Sequence, residues 1–198
     1  IDMLAGPTEV FIIADGSADP AWLAADLLAQ AEHDPVAQPV LATSDGKLAE
    51  RVASEIEVQL ASLPTRATAE ESISSCGRII ITGSLEEAAE LANRKAPEHL
   101  ELAVSEGSEC DKLVSLVHNY GSLFIGHYAA EVFGDYAAGL NHTLPTSGSA
   151  RFTGGLSVRT FLKTVTTLRC EKGKTGMKRS AEAAACLGLA SAGLAEAA

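Results

Sequence analysis

The sequence has 198 residues, 46% hydrophobic and 21% charged, and 26 acidic against 15 basic side chains give it a formal net charge of −11. That length and apolar content support one domain with a real core, or one domain with a smaller appendage, and argue against disorder. The acidic balance repels phosphate-rich partners, so nucleic acid and anionic membrane are poor partners, and no apolar run reaches transmembrane length.

In chain order, strand signals alternate with helix signals. Glu9–Ala14 is a short apolar, β-branched run that reads as a buried strand. Asp19-Pro20 supplies an N-cap and a first-turn proline, and the helix it opens carries Leu23, Leu27 and Leu28 on one face and runs to about His33. Pro39–Thr43 reads as the next strand and Lys47–Leu60 as the next helix, with Val52, Ile56 and Leu60 in register. A short helix near Ala69–Ser75 precedes a third strand, Arg78–Thr82. Ser84-Leu85-Glu86-Glu87 is a capping box opening a further helix. Leu100–Val104 is a fourth strand, Cys110–His118 a helix and Ser122–Ile125 a fifth strand. The alternation predicts an α/β fold, a Rossmann-like, mostly parallel sheet flanked by helices, with a C-terminal helical segment.

The texture changes after Asp135. Residues 134–155 are rich in Gly, Asn, Thr, Ser and Pro, and long irregular stretches in compact domains often carry function. Leu156–Leu168 reads as helical, and the Ala-rich stretch 176–198 as a terminal helix with a weak core face, suited to another surface. The predicted division is an α/β catalytic domain over 1–155 and a helical segment over 156–198. The four cysteines, Cys76, Cys110, Cys170 and Cys186, form no CxxC pair, which fits a reducing, cytoplasmic setting. The opening Ile1–Pro7 reads like interior sequence, so a fragment of a longer chain is expected.

Three segments could carry chemistry. Gln30 and His33 lie three apart, on one face of a helix that reaches His33, and an amide oxygen with an imidazole nitrogen suits a metal ion. From the spacing alone, a histidine that merely complements the helix C-terminus is the plainer reading. Glu98 and His99, between a helix and a strand, form a possible acid/base pair, or simply two solvated loop residues. Asp135, in the run Gly134–Thr146, is a hard oxygen donor or a turn-capping side chain. His118 and His127 show no pattern that assigns them a role, and Cys170, beside Arg169 and Lys172, lacks an evident histidine partner.

Taken together, Ile1–Val10, Ala24–His33, Pro97–Glu101, Gly134-Asp135-Tyr136 through Leu144-Pro145-Thr146, and Gly154–Val158 resemble the histidinol dehydrogenase family, in its C-terminal half. The resemblance implies a two-step, four-electron oxidation of L-histidinol to L-histidine through an aldehyde, with NAD as oxidant and one zinc ion per site. It implies Gln30, His33 and Asp135 as zinc ligands, with a fourth histidine from a C-terminal helix of the partner subunit in a homodimer. It implies Glu98 and His99 as the acid/base pair, His99 taking protons in both steps and Glu98 activating water in the second. Gln30, His33, His99 and Asp135 contact substrate as well, as does Thr8, which stands where the family has serine and keeps the hydroxyl. This sequence departs from the family at its end: no histidine follows His142, and most NAD contacts belong to the family's preceding half. Two other expectations compete: a paralogous zinc dehydrogenase of another small alcohol, such as a sulfonated diol, and a non-catalytic α/β module. The convergence of Gln30, His33 and Asp135 is expected at one cavity, with Glu98 and His99 bordering it outside the carboxyl ends of the strands, where open α/β sheets bind ligands.

Overall fold

A parallel sheet organises the core. The computed structural model describes residues 6–135 and 138–169, for Asp135 the backbone alone. Its strands are β1 (Glu9–Ala14), β2 (Gln38–Thr43), β3 (Arg78–Ile81), β4 (His99–Ala103) and β5 (Ser122–Ile125). They are parallel in every pairing and lie in the order β3-β2-β1-β4-β5. The helices are α1 (Pro20–Ala31), α2 (Gly46–Leu60), α3 (Arg66–Ser75), α4 (Leu85–Lys95) and α5 (Ser108–Leu116). The expected α/β class and parallel sheet are observed.

Local chemistry explains the element boundaries. Asp19 accepts from Ala21 N at 2.9 Å at the start of α1, and Asp45 accepts from Lys47 N at 2.9 Å at the start of α2. At α4, Ser84 accepts from Glu87 N at 3.2 Å, while the Glu87 carboxylate reaches one residue before the cap, taking Gly83 N–H at 2.7 Å. These side chains satisfy amides that a helix start leaves unpaired.

Every residue of β1 is buried, because helices cover both faces of the sheet. On one face Val10, Ile12, Ala14, Leu41 and Ala103 pack against α1, α2 and α3. On the other, Phe11, Ile13, Leu100 and Leu102 pack against α4 and α5. Strand alternation therefore puts His99 and Glu101 on the α1 face with Ala103.

The predicted helix over 156–168 is not formed. A 3₁₀ turn spans Val158–Phe161, and Leu162–Arg169 has no regular structure. The reason lies in composition: Val158, Thr160, Thr164, Val165, Thr166 and Thr167 are β-branched, and each loses side-chain freedom in a helix. The predicted terminal helix over 176–198 lies outside the described residues, as does Cys170. The chain divides into a compact unit ending at Phe161 and a second unit from Leu162 onward.

Candidate active site

Parallel strands start at one edge of the sheet, and a helix between two of them runs back toward that edge. This geometry gathers the predicted residues at the amino edge. Thr8 immediately precedes β1 and Glu98 immediately precedes β4, two strands paired with Val10 opposite His99. Gln30 sits in the last turn of α1, which has returned to the same edge. The expectation of a site outside the carboxyl ends is thus corrected: Thr8, Gln30, Glu98 and His99 lie at the amino ends.

These side chains form a directed chain of hydrogen bonds. Thr8 Oγ1 donates to Glu98 Oε2 at 2.6 Å and accepts from Gln30 Nε2 at 2.7 Å. Glu98 Oε2 also takes the Glu9 amide at 3.1 Å. A hydroxyl has one proton, and here it goes to the carboxylate. Only the NH₂ end of Gln30 can then face Thr8, which fixes the amide orientation from the network. Gln30 Oε1 is left buried with no hydrogen-bond partner, on a residue 0% exposed. A buried, unpaired acceptor carries a desolvation cost, so it is suited to a cation or a donor group of a ligand.

His99 is held from behind. Its Nδ1 lies 3.1 Å from the Glu9 carbonyl oxygen, which can only accept, so Nδ1 carries the proton and Nε2 is left as the basic nitrogen. The Glu131 and Glu98 carboxylates approach the same Nδ1 at 3.5 Å and 3.7 Å. Burial raises the Glu98 carboxyl above the ordinary carboxylate range, opposed by the Thr8 hydroxyl, the Glu9 amide and the charge of His142.

The backbone around Glu98 is strained and tightly approached. Ala96, fully buried, takes the left-handed conformation at φ 53° as α4 ends, a cost that the following turn sustains. Gly121 N donates to Pro97 O at 3.0 Å, and a Cβ at Gly121 would lie 2.5 Å from Glu98 O. Only glycine lets the start of β5 come this close. Beside it, Glu9 Oε1 pairs with Lys95 Nζ at 2.7 Å and accepts from Ser147 N at 3.2 Å, while Thr146 Oγ1 accepts from Gly6 N at 2.7 Å. The loop around Thr146 is thereby tied to the site.

One predicted residue, His33, stands apart from this bonded set. α1 ends at Ala31, so His33 lies beyond the cap, exposed, rather than one turn along the same helical face as Gln30. Asp34-Pro35 explains the early end, since the residue before proline disfavours the helical conformation. Asp135 closes the 3₁₀ turn Glu131–Asp135, whose first residue faces His99. Among the described residues no three His, Cys, Asp or Glu side chains gather as a metal-holding group. The predicted donor set is of another kind: an amide oxygen, an imidazole and a carboxylate, types that zinc accepts.

Sequence reading missed Glu9, Glu131 and the influence of His142. Glu9 had a signal: a charged residue opening an otherwise apolar, buried strand calls for a partner. Glu131 is brought to His99 by the path of the chain after β5, which no local pattern announces.

The carboxyl edge carries another polar cluster. Ser17 Oγ bonds to Asp15 and to His127 Nε2, the latter at 3.0 Å, and accepts from Ser105 Oγ at 2.8 Å. Asp19 caps α1, and the turn after β1, Asp15-Gly16-Ser17-Ala18, carries one glycine, unlike a glycine-rich phosphate loop.

Comparison with known proteins agrees with the motifs. The family model described as histidinol dehydrogenase matches residues 1–194. The chain is 48% identical over 172 residues to a histidinol dehydrogenase of Dechloromonas aromatica (strain RCB), covering 87% of this chain and 39% of that protein. It is 54% identical over 163 residues to one from Synechococcus sp., covering 82% of this chain and 37% of that protein. A crystal structure of histidinol dehydrogenase from Elizabethkingia anophelis superposes with a TM-score of 0.82 at 37% identity, over 95% of this chain and 43% of that one. The chain thus spans about two fifths of the length of the curated relatives it matches.

Proposed function

The chain belongs to the histidinol dehydrogenase family, and from that premise we propose that it supplies the acid/base and zinc-binding part of an enzyme that oxidises L-histidinol to L-histidine through the aldehyde. The observation that carries this reading is the buried chain Gln30–Thr8–Glu98 beside His99, with one unpaired oxygen and one basic nitrogen. The relatives favour neither a dehydrogenase of a sulfonated diol nor a non-catalytic module.

In this reading Gln30 through Oε1, His33 and Asp135 would hold zinc. Zinc has no redox chemistry, and when bound it would orient the amino alcohol and polarise its oxygen. The first task of the protein is proton transfer. His99 Nε2 takes the alcohol proton, and the imidazolium so formed is steadied by Glu131 and Glu98. Glu98, whose carboxyl is raised by burial, is the base for the water that adds to the aldehyde. Thr8 holds Glu98 and Gln30 in register with one hydroxyl. The hydride chemistry belongs to NAD, whose contacts we assign to the part of the relatives' length that this chain does not span. No described helix is long and apolar enough to cross a membrane, in keeping with a cytoplasmic biosynthetic enzyme. A homodimer, with the segment from residue 156 at the subunit contact, completes the proposal.

A chimera tests it. The matching region of the Dechloromonas aromatica protein is replaced by this chain, and NAD reduction and histidine formation are followed with L-histidinol. Zinc-dependent formation of histidine is expected; a folded, zinc-loaded chimera that reduces NAD with other alcohols and not with histidinol contradicts the substrate assignment.

A further inference from the structure

Behind His99, on the α1 face of the sheet, lies a polar set that the proposed function does not use. Glu101 is two residues along β4, 4% exposed, and its Oε1 has no hydrogen-bond partner. The segment after β5 crosses this face, and Gly126, His127, Ala129 and Ala130 line a cavity together with Glu101, Asp19, Asp26 and Trp22. The cavity measures about 10 Å³, close to the smallest space that holds one water. A second orphan belongs to it: His127 Nδ1, also buried and without a partner.

The partners fix the proton positions. Ser17 Oγ spends its proton on Asp15 and accepts from Ser105, so His127 Nε2 donates to Ser17 and Nδ1 is left as an acceptor. Glu101 is flanked by Asp26 on α1 and Glu131 on the turn, and burial with these two charges raises its carboxyl well above the ordinary range. It therefore has a proton to give. A single water receiving that proton from Glu101 and donating to His127 Nδ1 would satisfy both orphans. On its other side the Glu101 carboxyl accepts the Glu131 backbone N–H, and the Glu131 carboxylate lies 3.5 Å from His99 Nδ1.

We propose that Glu101 is a positioning residue for the base His99, acting through Glu131, and that one ordered water joins Glu101 to His127, so that histidines at opposite edges of the sheet share one buried network. This rests on the assignment of His99 as the base. Glu101 seats the turn that begins at Glu131, and Glu131 in turn holds the Nδ1 side of His99. The charged groups facing Glu101 are Asp26 and Asp19 from α1, Glu131 from the turn and His127 from the loop, with Glu98 and Glu9 beyond His99.

The test is nitrogen-15 NMR of the histidine rings in this chain at neutral pH, for the native sequence, Glu101→Gln and Glu101→Leu. The native protein is expected to show His99 protonated at Nδ1 and His127 at Nε2. Glu101→Gln keeps an acceptor for the Glu131 amide and a donor for the water, so both ring signatures persist. Glu101→Leu keeps the volume and removes both bonds; His127 and His99 should each relax to a mixture of tautomers, with circular dichroism unchanged. A folded Glu101→Leu protein with both rings as in the native sequence overturns the proposal, as does a Glu101→Gln protein that behaves like Glu101→Leu. If Glu101→Leu does not fold, the native and Glu101→Gln spectra still decide, because His127 protonated at Nδ1 in either contradicts the water bridge. These spectra read the resting protein, so they stand or fall separately from whether the chimera oxidises histidinol.

Discussion

The two edges of the sheet carry polar clusters of similar make-up and opposite physical character. At the carboxyl edge Ser17 and Ser105 are solvent-exposed and Asp15 is half-buried; the three satisfy one another, and the unpaired atom beside them, His127 Nδ1, faces away from their bonds. At the amino edge Gln30, Glu98 and His99 are buried, and an acceptor is left over. Exposed, satisfied groups cost little and can do little that water does not do. Buried groups with an unspent acceptor are held at a cost that a bound ligand can relieve, which is the mark of a site.

Loss of the Gln30 orphan breaks the amino edge on its zinc-binding side. Gln30→Leu in the chimera removes the amide oxygen and should weaken zinc binding about 100-fold, as loss of a ligand or its support does elsewhere; calorimetry with zinc measures it. Smaller is the effect of Thr8→Val, which keeps shape and deletes the hydroxyl that joins Gln30 to Glu98. Turnover should fall roughly tenfold, a loss of about 1.4 kcal/mol for the hydrogen bonds, while Thr8→Ser restores it. Steady-state kinetics separate the two variants.

Much of the fold was legible because its causes are local. Apolar runs, with caps at Asp19 and Ser84, marked the helices and strands between Glu9 and Ile125. The candidate site residues were found by their motif words, yet their edge of the sheet was not. The general rule for α/β sheets points to the carboxyl ends, whereas Thr8 and Glu98 are the residues just before their strands. The sequence reading carried α1 to about His33, two residues past its end at Ala31, because the apolar face of Leu23, Leu27 and Leu28 does not itself mark the stop that Asp34-Pro35 sets. Glu131 was invisible since only the return of the chain after β5 brings it to His99.

The smallest predicted effect concerns stability and pH. Burial raises Asp26 from 3.8 to about 6. Its neutral form therefore favours the fold below about pH 4, and that contribution is lost as pH rises through about 6. Asn cannot ionise, so Asp26→Asn should raise the melting temperature by about 3 °C at pH 8 and leave it unchanged at pH 4. Thermal melts at the two pH values check the sign.

The comparison of the edges is tested most directly by turnover of the chimera with one substitution at each. His99→Asn should lower histidinol-dependent histidine formation by roughly 10²–10⁴-fold while zinc content stays at the native level, and Ser105→Ala should stay within about twofold of the native sequence. The account is contradicted if His99→Asn retains native turnover, or if Ser105→Ala abolishes it in a folded protein that still binds zinc.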